Sequence, residues 1–190
     1  MTGAGGLTWF NHLDRAGAEA ALHGCCAARS WAGKVAAARP YATATALLET
    51  ADAAVDALGR DGLTEALDAH PRIGERAAGS GRDTAWSRRE QAAASDAGAG
   101  VRDALATGNR EYERRFGHVF LICATGRGAE EILANLRSRL GNDPDAEWDV
   151  VREELRAITA LRLRKLLAEH ELSVPQAAIA GPDTDKTVTP

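Results

Sequence analysis

The side chain best suited to proton transfer in this sequence is the imidazole of His70, which stands directly before Pro71. An unperturbed imidazole titrates near pH ~6.5, so such a group can accept or donate a proton at neutral pH. Proline disfavours helical dihedral angles in the residue that precedes it. We therefore expect His70 to be presented at the end of the preceding helix. A structural alternative is a histidine that only caps that helix or fills the core.

A hydroxyl, a carboxylate and an amide lie close together in the stretch Ser87-Arg88-Arg89-Glu90-Gln91. Side chains of these types can hold a polar ligand and influence its protonation. The same spacing has the form of a capping box, in which Ser87 and Glu90 would each satisfy a backbone N–H in the first turn of a helix. That helix would run to about Thr107. Spacing alone does not separate the two interpretations.

Arg162 lies in the last predicted helix among other arginines, a pattern that usually marks a solvated basic face. Its immediate neighbours, however, are Leu161 and Leu163. An arginine set among apolar residues is suited to partial burial beside the carboxylate of a ligand.

Other catalytic patterns are missing from the sequence. It has neither a glycine-rich phosphate loop nor a Gly-x-Ser-x-Gly nucleophile motif. The spacing of His23, Cys25 and Cys26 matches usual zinc patterns poorly, so we expect no metal site. We expect Cys123 to be a small buried apolar residue and not a nucleophile.

The hydrophobic pattern predicts an all-α, single-domain bundle of about seven to eight helices. Leu47, Ala51 and Val55 recur at helical spacing, for example, whereas Gly108 is expected to interrupt the helix that contains it. The run 119–123 is the only strongly β-like stretch, and we interpret it as buried extended backbone. Its N–H and C=O groups need partners, some of which a bound ligand could supply. The helical domain would span residues 1–173, and 174–190 would form a flexible tail.

Composition narrows the class of partner. A chain of 190 residues with 45% apolar content can bury one core and still form a pocket. The net charge of −4 does not favour nucleic acid or an anionic membrane, and no run is long and apolar enough to cross a bilayer. The three cysteines do not pair evenly, which suits reduced thiols. We therefore expect a cytoplasmic protein with a small-molecule partner.

Four motifs together resemble one family. They are His70-Pro71-x-Ile73-Gly74, Ser87-x-x-Glu90-Gln91, Tyr112-x-x-Arg115-Phe116-Gly117-x-x-Phe120-x-Ile122-Cys123-Ala124, and Leu161-Arg162-Leu163. This set is similar to the 2-oxo-4-hydroxy-4-carboxy-5-ureidoimidazoline (OHCU) decarboxylases, which complete the conversion of urate to (S)-allantoin. The resemblance extends from about Phe10 to Glu169. It implies an all-α fold, a homodimer and a reaction that needs no cofactor.

The resemblance also assigns roles. It implies catalytic roles for His70, Glu90 and Arg162, with His70 as acid or base and Arg162 facing an anionic part of the substrate. The residues that would bind substrate are Pro71, Ser87, Arg88, Arg89, Gln91, Phe120, Leu121, Ile122, Cys123 and Ala124. One departure is His118-Val119, where many relatives have Phe-Pro. Two alternatives are a decarboxylase-like fold with a changed substrate, and a helical interaction module in which His70 and Glu90 only cap helices.

Overall fold

A computed structural model of the protein describes residues 4–74, 82–92 and 97–171, and this part of the chain contains helices but no β-strand. Along these residues lie nine helices: α1 (Ala4–His12), α2 (Arg15–His23), α3 (Arg29–Ala37), α4 (Ala44–Asp56), α5 (Arg60–Asp68), α6 (Arg82–Glu90), α7 (Ala99–Phe116), α8 (Ala129–Arg139) and α9 (Pro144–Glu171). They form a single all-α domain, which confirms the predicted fold class. The predicted tail at 174–190 lies outside the described residues.

The longest described helix, α9, lies at the centre of the helix packing. It has 28 residues and buries Val151, Leu155, Ile158 and Leu163, which recur at helical spacing. α1 and α4 pack against it. Among the residues that the structure describes, no helix combines the length and apolar character needed to cross a membrane.

The described helices exceed the predicted number because the N-terminal region forms two of them. Leu7 and Phe10 of α1 are buried in the core, so this short apolar stretch is stabilised by packing. A new helix begins after Asp14, whose Oδ1 accepts a hydrogen bond from the Gly17 N–H at 2.7 Å. That acceptor satisfies one of the free N–H groups at the start of α2.

The predicted capping box at Ser87 is wrong. α6 begins at Arg82 and ends at Glu90, so Ser87 lies inside the helix and does not start it. The turn before Ser87 is held by Trp86, a buried residue whose Nε1 donates to Glu169 Oε1 of α9 at 3.0 Å. This contact joins residues that are far apart in the chain, and a local capping pattern does not report it.

The predicted interruption at Gly108 is also wrong, since α7 continues through it to Phe116. Gly108 is where α7 and α8 approach each other closely. A Cβ atom at this position would stand only 2.6 Å from Leu136 Cδ2. The glycine therefore serves helix packing, while Gly117, with φ of 77°, ends α7 in the left-handed conformation.

Between α7 and α8, residues 119–124 pass between two hydrophobic clusters. Val119, Leu121 and Cys123 pack with the large cluster formed mainly by α1 to α5 and α9. Phe120, Ile122 and Ala124 pack with the smaller cluster of α7 and α8. Alternation with a period of two is the signature of extended backbone, so the prediction of a buried extended segment is confirmed. We call residues 119–124 the extended segment.

Candidate active site

His70 directly follows the last turn of α5. Its backbone N–H donates to the Leu67 carbonyl at 2.8 Å, and its ring Nδ1 lies 2.9 Å from the Ala66 carbonyl. A carbonyl oxygen can only accept, so Nδ1 carries the proton in this contact. In the neutral ring Nε2 is then the basic nitrogen. The ring is thus oriented by the helix end, as the sequence predicted.

Glu90, at the end of α6, is bound by two cations from α9. Arg162 Nη2 lies 2.9 Å from Glu90 Oε2, and Lys165 Nζ lies 3.0 Å from Oε1. Arg162 Nη2 also donates to Ser87 Oγ at 3.0 Å. The side chains of Arg162 and Glu90 are 5% and 9% exposed, whereas that of Lys165 is 31% exposed. These four residues form a polar group at the contact of α6 and α9, which we call the Glu90 cluster.

The Glu90 cluster carries a net positive charge, since one carboxylate faces two cations. Burial would raise the pKa of Glu90, but the hydrogen bonds and charges of Arg162 and Lys165 outweigh burial and lower it. Glu90 is therefore an anion at neutral pH and a poor proton donor. The surplus positive charge suits a ligand that carries its own carboxylate.

Gln91 brings the two predicted catalytic stretches together. Its Nε2 donates to the Pro71 carbonyl at 3.3 Å, which joins the end of α6 to the residue after His70. Ser87 and Gln91 are buried, on the same side of α6 as Glu90, whereas Arg88 and Arg89 lie on its exposed side. The structure thus gathers part of the predicted site and leaves these two arginines at the surface.

Two backbone groups of the extended segment are bound by neighbouring side chains. The Cys123 N–H donates to Glu154 Oε2 of α9 at 2.8 Å. The Leu121 carbonyl accepts from Arg139 Nη1 of α8 at 2.8 Å. These protein groups satisfy part of the segment, so a ligand is not needed at either of the two positions.

Lys165 and Glu154 were both missed by the sequence reasoning. Lys165 follows Arg162 by three residues and Glu154 precedes it by eight, so all three share one side of α9. A helical projection anchored on Arg162 would have drawn attention to both side chains. Their partners in α6 and in the extended segment are not visible in the sequence.

Two of the cysteines lie near the Glu90 cluster. Burial raises the pKa of Cys26 to about 11, against smaller opposing effects that include a hydrogen bond with Thr159 and the charge of Arg162. Burial and the charge of Glu154 also raise the pKa of the half-buried Cys123 thiol. Both thiols therefore stay protonated at neutral pH, which makes them poor nucleophiles. Across the described ranges, no three His, Cys, Asp or Glu side chains gather in a way that could hold a metal ion.

The His118-Val119 departure lies in an aromatic cluster. The ring of His118 is 4.4 Å from that of Trp148 and 5.4 Å from that of Tyr112, measured between centroids. Burial lowers the pKa of His118, which keeps the ring neutral. The ring of His118 thus contacts the aromatic rings of Tyr112 and Trp148, which are not members of the Glu90 cluster.

Known proteins are similar to this chain in sequence and in fold. A sequence model of the OHCU decarboxylases matches residues 11–164. The 2-oxo-4-hydroxy-4-carboxy-5-ureidoimidazoline decarboxylase of Amia calva is 36% identical over 145 residues, which are 74% of this chain and 79% of that protein. The corresponding protein of Mus musculus is 32% identical over 137 residues, covering 71% of this chain and 77% of its own length. A crystal structure of an OHCU decarboxylase in the presence of (S)-allantoin superposes with a TM-score of 0.67 at 28% identity, covering 77% of this chain and 96% of that one. With the motifs, the fold and these matches in agreement, the chain belongs to the OHCU decarboxylase family.

Proposed function

We propose that this protein is a carboxy-lyase that converts 2-oxo-4-hydroxy-4-carboxy-5-ureidoimidazoline to (S)-allantoin in urate degradation. The observation that carries the proposal is the Glu90 cluster, a largely buried group with surplus positive charge beside the His70-Pro71 stretch. A site of this kind fits a small anion that must be held and protonated. Family membership supports the same reaction.

The substrate itself explains why little covalent help is needed. When the bond between the ring carbon and the carboxylate breaks, carbon dioxide leaves and the electron pair stays on the ring. The adjoining carbonyl and imine-type groups can spread that pair. The hydroxyl on the decarboxylated carbon becomes a carbonyl, the neighbouring ureido-bearing carbon is protonated, and one proton is taken up overall. The protein's task is therefore to bind, orient and protonate.

The proposed roles follow from the contacts. Arg162 and Lys165 attract the substrate carboxylate, while Glu90 holds both cations in place and keeps their net charge near one. His70 transfers the proton through Nε2, because Nδ1 is engaged with the Ala66 carbonyl. The buried side chains of Ser87 and Gln91 and the backbone of residues 120–124 contact the polar ring and ureido groups. Arg88 and Arg89 would contribute only from the rim of the site.

The reaction is tested by circular dichroism on urate that a urate oxidase and a hydroxyisourate hydrolase convert in the cuvette. Rapid growth of the (S)-allantoin signal when the protein is added, against slow racemic decay without it, is the expected result. A folded protein that leaves the decay unchanged would contradict the proposed function and favour an altered substrate or an interaction module.

The role of His70 is tested by His70→Ala in the same assay. A proton-transfer role predicts a loss of turnover of roughly 100-fold or more, with the fold retained. A capping role alone predicts a loss of about 1 kcal/mol in stability and unchanged turnover of the folded protein. Thermal unfolding of the variant separates these outcomes.

We further propose a homodimer in the cytoplasm, with no nucleic-acid or membrane partner. The family resemblance supports the dimer, and the net charge of −4 disfavours polyanionic partners. Light scattering coupled to gel filtration tests the dimer: a mass near 20.0 kDa, that of one chain, would contradict it.

A further inference from the structure

Glu154 reaches from the middle of α9 to the extended segment. Its Oε2 accepts the Cys123 N–H at 2.8 Å, and its Oε1 lies 3.7 Å from an Arg127 nitrogen. Only 13% of the side chain is exposed. A carboxylate this buried needs hydrogen-bond partners, and a backbone amide of the segment is one of them. Glu154 therefore ties α9 directly to the segment.

A second connection ties the same segment to α9. Arg139 donates to the Leu121 carbonyl, and Arg139 is itself held by Glu147 of α9 at 2.6 Å. Glu147 and Glu154 are seven residues apart, which is close to two helical turns, so they lie on one side of α9. In extended backbone, the ties at Leu121 and Cys123 also determine how the N–H and C=O of the residue between them are aimed.

The same helix carries the cations of the Glu90 cluster. Arg162 lies eight residues after Glu154, or roughly 12 Å along the helix axis. The charges of Glu154 and Glu90 both act on the Cys123 thiol, which places that residue within electrostatic reach of the two carboxylates. α9 therefore sets the distance between the segment and the Glu90 cluster.

We propose that Glu154 is a positioning residue for the decarboxylation. By holding the Cys123 N–H, it fixes the extended segment relative to Arg162 and Glu90, so that a substrate bound between them meets both at the correct separation. This inference rests on the proposed function. A bound ring that shifts against its proton donor reacts more slowly and is protonated with less facial selectivity.

Three substitutions separate the hydrogen bond from the charge. Glu154→Gln keeps the length and an acceptor oxygen but removes the charge. Glu154→Asp keeps the charge but is one methylene shorter, and Glu154→Ala has neither property. We expect Glu154→Gln to stay within roughly threefold of the unmodified protein, whereas the Asp and Ala variants lose roughly 10- to 100-fold in kcat. These two variants should also produce a smaller excess of (S)-allantoin, measured by circular dichroism.

Glu153→Ala is the matched control, because Glu153 is the exposed neighbour on the same helix and should leave kcat and product chirality unchanged. If the Asp variant stays active while the Gln variant does not, charge is the relevant property and the inference is overturned. Lower melting temperatures with unchanged kcat and chirality would mean a structural role and would also overturn it. An inactive parent protein would instead reject the proposed function, and the inference with it. The comparison of the Gln and Asp variants tests the positioning role of Glu154 even if the Ala variant does not fold.

Discussion

At the scale of single residues, the Glu90 cluster combines one carboxylate with two cations of different exposure. Arg162 is slightly more buried than Glu90 and approaches both carboxylate oxygens, at 2.9 and 3.4 Å. Lys165 is more exposed and contacts a single oxygen. The planar guanidinium of Arg162 fixes the orientation of the Glu90 carboxylate. The ammonium group of Lys165 adds positive charge but does not constrain that orientation. We therefore expect substitution of Arg162 to disturb the geometry of the site, and substitution of Lys165 to change mainly its charge.

Replacing Glu90 by glutamine should weaken folding at neutral pH by roughly 2 kcal/mol, because the buried Arg162 guanidinium loses its anionic partner and keeps only a neutral acceptor. The folded-state pKa of Glu90 lies below its ordinary value, so its stabilisation is complete above that ordinary value. It is lost as the pH falls through the lowered pKa. Urea unfolding of both proteins between pH 7 and pH 3 should therefore show a difference that shrinks in acid. A difference in stability that grows in acid would contradict a lowered pKa for Glu90 in the folded protein.

Lys165→Met should lower kcat/KM by roughly tenfold, because the remaining charges of Arg162 and Glu90 then cancel and the anionic substrate is attracted less. Salt screens an exposed charge, so the KM of the unmodified protein should rise with ionic strength more steeply than that of the variant. Lys34→Met, at an exposed position of α3, is the matched control and should change neither quantity. Equal salt dependence in all three proteins would remove Lys165 from the site.

At the scale of helices, α1 lies close against α9 at Gly6. A Cβ atom at position 6 would stand 2.0 Å from the carbonyl oxygen of Leu167, which is backbone and cannot rotate away. Five residues before Leu167, the same helix presents Arg162 to the Glu90 cluster. The close approach of the two helices thus fixes the part of α9 that carries the site.

We expect Gly6→Ala to destabilise the protein by about 2–3 kcal/mol, since α1 must move away from α9. Gly33→Ala is the comparison, because a Cβ atom there has no neighbour within 4 Å and alanine favours helix. That variant should gain up to about 1 kcal/mol. Thermal unfolding measures both changes, and similar melting temperatures for the two variants would contradict the close approach.

At the scale of the whole molecule, a buried ionic network joins three helices and the extended segment. Arg139 of α8 and Glu147 of α9 are 5% and 0% exposed. Asn142 Nδ2 donates to Glu147 Oε2 at 2.7 Å, and the hydroxyl of Tyr112 in α7 donates to Glu147 Oε1. Burial, together with Glu147, raises the pKa of Tyr112 far above its ordinary value, so the phenol keeps the proton that it donates. Through Arg139, which donates to the Leu121 carbonyl, the network also holds the extended segment.

Glu147→Ala should cost roughly 3–5 kcal/mol, because it leaves the Arg139 guanidinium buried without a counter-charge. The double variant Arg139→Met with Glu147→Leu removes both charges and should recover much of that loss. Urea unfolding with an unchanged m-value measures the two effects. A single variant that loses less than about 1 kcal/mol would show that the pair is not stabilising in this setting.

The sequence by itself determined the family and the all-α class, and it predicted the main candidate site residues. Short-range patterns carry that information: apolar spacing predicts α4, Gly117 ends α7, and Pro71 places His70 after α5. Flanking leucines also correctly indicated that Arg162 is buried. The catalytic and substrate-binding roles stay predictions until the variants are assayed.

Only the tertiary structure decided how these residues are connected. Arg162 and Glu90 are 72 positions apart, and Cys123 and Glu154 are 31 apart, so no local pattern reports their contacts. The local signals at Ser87 and Gly108 were misleading, and long-range contacts lie at both places: Trp86 donates to Glu169, and Gly108 packs closely against Leu136. Helix propensity contributes tenths of a kcal/mol per residue, whereas burying a large side chain contributes several times more. Where helix propensity and packing between distant helices favour different structures, packing therefore determines which one forms.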